Sequence, residues 1–429
     1  MTEWQEVNLG QVVEILSSKR VFASDYTIEG VPFWRGKEVV ELSAGRSITT
    51  ELYIAEKTYQ FLGRKIGFPK KDDILLTSVG TLGRAYKLTD EDRIYFKDGN
   101  LTWFRNYSER LDPSWLLYWM RSDIGQGSFE QTKIGSTQQA LTIVNLKSLK
   151  VALPPLPEQR AIAATLGALD DKIELNRRMN ETLEAMARAL FRDWFVDFGP
   201  TRAKMAGTAP YLSPDLWSLF PDSLDDAGKP EGWEADTLGA IATARTEGVD
   251  PATVSETTPY IGLEHMPRGS IALSEWEGAA KVSSSKGAFE AGDFLFGKLR
   301  PYFHKVGVAP VSGICSTDIV VVRPSAPSWR GFVIACISDA DFVAYTDKTS
   351  TGTKMPRTSW RIMSKYPATL PSIGAAEAFD ALVAPMLGRI RANILEFRTL
   401  AQTRDLLLPR LMSGELRVAG AEHAVEAVL

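Results

Sequence analysis

Three groups of residues have types and spacings that could do chemistry. Gly292 to Leu299, GDFLFGKL, nearly matches the phosphate-loop pattern GxxxxGK[ST], whose lysine and hydroxyl hold phosphate and Mg²⁺. Leu299 stands where the hydroxyl belongs, and DFLF is bulky and strand-like where a cradle of bare N–H groups is needed. Asp123 to Phe129, DIGQGSF, has glycines spaced like those of a loop that cradles S-adenosylmethionine. Such a loop follows a strand, whereas this one follows an apparent helix, and no NPPY- or DPPY-like segment accompanies it. A helix C-cap and loop is expected there. His265, His304 and His423 are scattered, and none stands at metal-ligand spacing from Cys315 or Cys336, so no metal site is expected. No Ser/His/Asp arrangement or nuclease-like carboxylate pattern can be argued. A chain of 429 residues without a catalytic signature is expected to bind rather than react.

Composition sets the class. With 44% hydrophobic and 24% charged residues the chain reads as ordinary globular protein, and its length suggests two to four domains. No apolar run approaches the roughly 20 residues that span a bilayer, and MTEWQEVNLG has neither the basic nor the apolar part of a signal peptide. Two cysteines make no disulfide framework, so a reduced, cytoplasmic setting is expected. The net charge of −4 hides local contrasts. Glu158 to Asp197 holds eight acids against six bases, a poor surface for DNA and a plausible one for protein. Ser285 to Lys365 holds eleven bases against six acids, a local +5. The first 150 residues are nearly balanced, with bases gathered at Arg64, Lys65, Lys70, Lys71, Arg84 and Lys87.

Around these residues the chain is organised by one long segment, Leu153 to Phe195. LPPLP excludes helix interior, and no proline follows Pro157 until Pro200. The residues between are mainly good helix formers, and thirty-eight of them would span about 57 Å at 1.5 Å per residue. Leu169, Ile173, Asn176, Asn180, Leu183, Ala187, Leu190 and Trp194 alternate steps of four and three, the heptad spacing of a coiled coil, in which buried Asn can fix register and partner. A shift of 217 residues lays the C-terminal region on this one: Leu153-Pro154 falls on Leu370-Pro371, Ile173 on Ile390, Asn176 on Asn393, Asn180 on Phe397, Leu183 on Leu400, Leu190 on Leu407 and Trp194 on Leu411. A second long helix is therefore expected over about Ala375 to Leu408, with Pro409 kinking or ending it. The repeat extends upstream. WQEVNLG at Trp4 resembles WEADTLG at Trp233, and KDDILLTSVGTLGRAYKL from Lys71 resembles AGDFLFGKLRPYFHKVGV from Ala291.

The expected fold is mixed α/β: two similar domains of mixed strands and short helices, separated by a long antiparallel coiled coil of two helices, with a pseudo-two-fold internal repeat. The expected segments are residues 1–152 for the first domain, 153–198 for the central helix, 199–369 for a linker and the second domain, and 370–429 for the C-terminal helix and tail. Strands are expected at Asp73–Val79, Arg93–Phe96 and Asn145–Leu153, then near Asp293–Phe296, Val306–Ala309 and Asp318–Val322. Helices are expected at Ser114–Arg121, capped by Ser114, and near Trp329–Ser338. Gly199 to Trp233 reads as a linker, and the tail after Gly414 as frayed.

LPPLPEQ followed by the helix with DDKIELN at Asp170–Asn176 resembles the central helical region of specificity subunits of type I restriction–modification enzymes. LLLPRLMSGEL, Leu406 to Leu416, resembles the family's other helical region, and the W-x4-LG openings at Trp4 and Trp233 resemble the starts of its two target-recognition domains. The resemblance covers essentially the whole chain. It departs at the second junction, where LPSIGAAE replaces LPPLPEQR. It implies a non-catalytic DNA-recognition subunit, each domain reading one half of a bipartite double-stranded target and the coil setting the spacing, roughly 34–36 Å for half-sites one helical turn apart. The implied partners are two modification (methyltransferase) subunits and, in the holoenzyme, restriction subunits that translocate and cut. S-adenosylmethionine, ATP and Mg²⁺ would lie in those partners, and no cofactor in this chain. No membrane is involved.

Base reading needs hydrogen-bonding forks, and positioning needs cations near phosphates. Candidate DNA-binding residues in the first domain are Arg64, Lys65, Ser78, Thr81, Arg84, Lys133, Ser136, Thr137 and Gln138. In the second they are Lys298, Arg300, Tyr302, His304, Lys305, Lys348, Thr349, Thr351, Thr353, Lys354 and Arg357. Gly135-Ser136-Thr137 lies opposite Gly352-Thr353-Lys354. The rival readings are a self-contained DNA methyltransferase or nuclease, and a coiled-coil adaptor without DNA readout.

Overall fold

The computed structural model describes residues 4–46, 48–135, 139–352, 354–418, 420–421 and 425. They divide into two compact units, one of Met1–Glu174 with Thr399–Leu429, the other of Leu175–Arg398. These units are drawn differently from the four segments expected, because each sheet-bearing part packs on its own stretch of both long helices.

In the first unit the apolar runs ILLT and LTWFR become strands Ile74–Thr77 and Leu101–Arg105. They are the centre of an antiparallel sheet ordered Glu14–Leu16, Leu101–Arg105, Ile74–Thr77, Ala85–Lys87. A second sheet runs Tyr26–Thr27, Tyr53–Ile54, Val31–Trp34, Tyr95–Phe96, its last pair parallel. Gln5–Asn8 pairs with Lys150–Leu153. The second unit repeats all three. Its main sheet is Ala242–Arg245, Ile319–Pro324, Phe294–Gly297, Val306–Val308. Its second sheet again holds one parallel pair, Pro259–Ile261 on Gly313–Cys315. Glu234–Thr237 pairs with Pro367–Leu370. Burial of Trp103, Phe104, Phe294 and Phe296 in the main strands forms the centre of each core.

The two long helices are Leu156–Phe191, of 36 residues, and Ile373–Met412, of 40. The first opens with Pro157 in its first turn, where a missing N–H costs nothing. It ends in a widened π turn, Arg192–Val196, that buries both Trp194 and Phe195, and Phe198 stops it in the left-handed region at φ 54°. Within each unit the helix segments run antiparallel. In the first, Asp170 accepts from Arg404 at 2.7 Å. In the second, Asn176 donates to Glu396 at 3.1 Å and Asn393 to Asn180 at 2.8 Å. Leu169, Ile173, Asn176, Asn180, Trp194, Ile390, Asn393, Leu400 and Leu407 are buried, and Leu183, Leu190 and Phe397 are half-buried.

Several expectations are corrected. Pro409 does not end the second helix, which runs on to Met412 and also passes through Pro385. A helix-interior proline costs about 3 kcal/mol, and burial of Val383, Leu387, Ile390, Leu407 and Leu411 on the two sides offsets it. Asn145–Leu153 is not one strand. Thr142 accepts from Asn145 N and starts helix Ile143–Ser148, and the strand begins at Lys150. Helix Pro113–Arg121 is capped by Asp112, which accepts from Ser114 N and Trp115 N, leaving Pro113 at the first helical position. DIGQGSF is neither cap nor loop but lies in helix Asp123–Thr132, started by Ser122. Gly199–Trp233 is more than a linker. It holds helices Gly199–Met205 and Pro214–Ser218 and buries Phe220 and Trp233 against Trp194 and Phe195. In the tail, Arg417 pairs with Glu158 and Ala421 is buried, so this part is tied down rather than frayed. No helix among the described residues is long and apolar enough to cross a membrane.

Candidate nucleic-acid interface

The same pair of loops is built in each unit, beyond the end of the main sheet's central strand. In the first unit Ile74–Thr77 runs into a turn closed by Arg84, whose carbonyl accepts from Thr77 N at 2.9 Å. Ser78 N donates to Asn100 O at 2.8 Å, and Leu141 N to Ser78 O at 3.0 Å. Val79 and Ile134 each form an antiparallel bridge with Ala140. In the second unit Gly297 N donates to Lys305 O at 2.9 Å, Lys298 N to Asp318 O at 2.7 Å, and Thr358 N to Lys298 O at 3.0 Å. Leu299 and Thr351 each bridge Arg357. Partner for partner, the bonds fall 217 to 221 residues apart. Gly135 at φ 96° and Gly352 at φ 95° make the same bend, which a Cβ would strain.

A shared polar corner lies at the opposite end of each central strand. Asp73 accepts from Lys70 N at 3.1 Å and from the Trp103 indole at 2.8 Å. Asp293 accepts from Glu290 N at 2.7 Å and from Arg323 at 2.6 Å. Burial pushes the Asp73 carboxyl above the usual carboxylate range.

The side chains on this common frame differ. In the first unit Thr81 and Arg84 are exposed on the turn. Ser78 is a correction: it is buried, 2.6 Å from the Thr102 hydroxyl, so it faces the core and not a ligand. Lys133 follows helix Asp123–Thr132 and pairs with Glu130. Arg64 and Lys65 are exposed on a separate helix, Glu56–Ile66, with the Lys65 ammonium 4.0 Å over the Phe61 ring. Ser136, Thr137, Gln138 and Thr353 lie outside the described residues.

The second unit is cationic at this place. Lys298 and Lys305 are half-buried, and burial lowers both ammonium pKa values. Lys305 donates to the Leu263 carbonyl. Arg300 and His304 both sit in the left-handed region, and between them the exposed Tyr302 ring lies edge-on to Phe303, centroids 4.7 Å apart. His304 Nε2 donates to Ser338 O at 2.9 Å, and burial holds its pKa below the ordinary histidine range. Arg357 is exposed and pairs with Asp318. Thr351 and Lys354 are exposed on the second loop, and Lys348 and Thr349 at the end of helix Ala340–Lys348.

A cleft of about 490 Å³ opens beside the first unit's turn, between Arg35, Lys37, Thr81, Lys97 and Asn100. Arg35 is held by Glu38 at 2.8 Å and Glu51 at 2.9 Å, and Lys37 by Glu51 at 2.9 Å. Of these only Thr81 was named from the sequence; RGK at Arg35–Lys37 and KDGN at Lys97–Asn100 were the available signals. Glu264, His265 and Glu277 bring donor atoms within 4.8 Å of one another. His265 Nδ1, however, accepts from Gly262 N at 2.9 Å, which leaves the proton of the neutral ring on Nε2 and no free lone pair for an ion.

Fold and site define a duplicated protein in which one loop frame is presented twice with different side chains. The family described as type I restriction modification DNA specificity domain matches residues 1–185. The chain is 26% identical over 394 residues to the type I restriction enzyme MjaIX specificity subunit of Methanocaldococcus jannaschii, covering 89% of this chain and 84% of that one. It is 24% identical to the type I restriction enzyme HindI specificity subunit of Haemophilus influenzae, covering 97% of this chain and all of that one. The crystal structure of a type I restriction–modification system S subunit from M. genitalium has the same fold, with a TM-score of 0.55 at 16% identity, covering 95% of this chain and 96% of that one. Residues 1–185 thus match the model of that family, and over most of its length the chain is similar to type I specificity subunits.

Proposed function

We propose that the chain is the DNA sequence-recognition subunit of a type I restriction–modification complex. The observation that carries this is the loop pair, rebuilt bond for bond in the second unit while its side chains are changed. Such a pair can read two different half-sites in one mode. The family matches supply the target, DNA, and the setting. Each unit reads one half of a bipartite double-stranded site, and the antiparallel helices set the spacing. Two modification subunits dock on the chain and carry S-adenosylmethionine. Restriction subunits with ATP and Mg²⁺ complete the holoenzyme in the cytoplasm. The chain itself has no catalytic site.

Incubation with DNA and S-adenosylmethionine tests this. The chain co-purified with its modification subunits should methylate adenine in a split, asymmetric motif, and the chain alone should transfer nothing. Methyl transfer by the chain alone, or an undivided motif, would contradict it.

A further inference from the structure

Four polar side chains meet where the first unit's sheet-bearing part joins the two helices. Tyr118 and Arg121 come from helix Pro113–Arg121, Asp170 from the central helix, and Arg404 from the C-terminal one. The buried Tyr118 hydroxyl donates to Asp170 Oδ2 at 2.8 Å, and Arg404 donates to Oδ1 at 2.7 Å. The Arg121 guanidinium lies 3.7 Å from Oδ2. One carboxylate therefore ties three helices together.

The repeat supplies the comparison. Shifted by 217 residues, Tyr118, Arg121 and Asp170 fall on Ala335, Ser338 and Leu387, and Ala187 falls on Arg404. In the second unit these four counterparts also come together, around a small cavity of about 20 Å³ whose lining includes Glu184, Arg188, Ile271, Ile334 and Val383. Ser338 spends its hydroxyl on its own helix, donating to Ile334 O at 2.7 Å. At these four positions the first joint carries directional, charge-assisted bonds and the second carries none, its tie to the central helix coming instead from Glu184, which accepts from the Ser270 hydroxyl and from Ile271 N and Ala272 N.

Stability does not require the polar version. A buried ion pair contributes little net stability compared with well-packed apolar residues, and the second joint closes without one at these four positions. Charge-assisted hydrogen bonds instead fix direction, because they weaken steeply with distance and angle. We infer that Asp170, with Arg404, Tyr118 and Arg121, forms a positioning cluster that fixes the direction in which the first unit's reading loops leave its helix segments. That direction admits one spacing between half-sites. The inference rests on the chain recognising a split target.

The test transplants the second joint into the first: Tyr118→Ala, Arg121→Ser, Asp170→Leu and Arg404→Ala together, in the complex with modification subunits. Methylation rates are compared on DNA carrying the natural spacer and spacers one base pair shorter and longer. The variant should keep its rate on the natural spacer while its discrimination against the altered ones falls roughly tenfold. Arg404→Lys, which keeps a cation on Asp170, should retain discrimination. Tyr118→Phe, which removes one hydroxyl and is well tolerated by an aromatic slot, should lower it by a smaller factor and serves if the fourfold variant does not fold. An unchanged spacer ratio in the fourfold variant and in Tyr118→Phe, or an equal loss on all three spacers, would overturn the inference. A wild-type complex that methylates no split site would instead contradict the functional reading beneath it.

Discussion

The loop pair of the first unit and that of the second share their backbone bonds and differ in nearly every side chain that could meet a ligand. Ser78 is turned inward onto Thr102, where its counterpart Lys298 is a half-buried cation. Ala140 occupies the bridge position held by Arg357 in the second unit, and Asn100 stands opposite Asp318, which pairs with that arginine. The frame depends on backbone hydrogen bonds and on two corner carboxylates, Asp73 and Asp293. Readout can therefore diverge without disturbing the fold, and two copies of one scaffold can serve an asymmetric target. The joints to the helices repeat the lesson, with Asp170 in one and Leu387 in the other.

The largest effects that would break this comparison are in the shared frame. Phe296 is fully buried and packs 5.6 Å from Phe342, so Phe296→Ala should cost about 3–5 kcal/mol. Hydrogen exchange on the full chain should show the loss of protection concentrated in Leu175–Arg398; an equal loss over Met1–Glu174 would mean that the units do not hold separate cores. Next come the readout groups. Arg357→Ala should cost the assembled complex about 1–3 kcal/mol of DNA affinity and relax specificity in the second half-site only. Binding titrations on sites altered in either half would measure this, and equal loss on all sequences would demote Arg357 to a phosphate contact.

Acidification gives the smallest contrast, with opposite signs at Asp73 and at His304. Asp73 has a raised folded pKa, so its contribution is present at low pH and is lost as pH rises through that value. His304 has a depressed one, so its contribution is present above the ordinary histidine value and is lost as pH falls. Lowering pH into the acid range should therefore weaken exchange protection around Gly297–Lys305 while leaving Ile74–Thr77 protected. His304→Gln, which keeps a donor for Ser338, should remove that response, and a variant that still weakens would place the titration elsewhere.

Local signals were legible in the sequence. The 4-3 spacing of Leu169, Ile173, Asn176 and Asn180 announced the helix seam, and the 217-residue shift announced the second copy. Apolar runs such as ILLT and FLFG announced the central strands. What was hidden depends on distant partners. Ser78 looked available until Thr102, on the neighbouring strand, took its hydroxyl. Pro409 read as a possible end of the helix because a local rule cannot weigh the apolar contacts on either side of it. Phe220 and Trp233 read as linker because the aromatic cluster they join is assembled from Trp194 and Phe195, well upstream. The cleft at Arg35, Lys97 and Asn100 and the cluster at Tyr118, Asp170 and Arg404 each draw on segments far apart in the chain, with no spacing to betray them.

The most direct test changes only the second unit's side chains. Lys298→Ala, Arg300→Ala and Arg357→Ala, combined in the complex with modification subunits, should alter or erase the second half of the methylated motif mapped across a genome, while the first half and the spacer stay as they were. A motif changed in both halves, or in neither, would contradict two independent readers on one repeated frame.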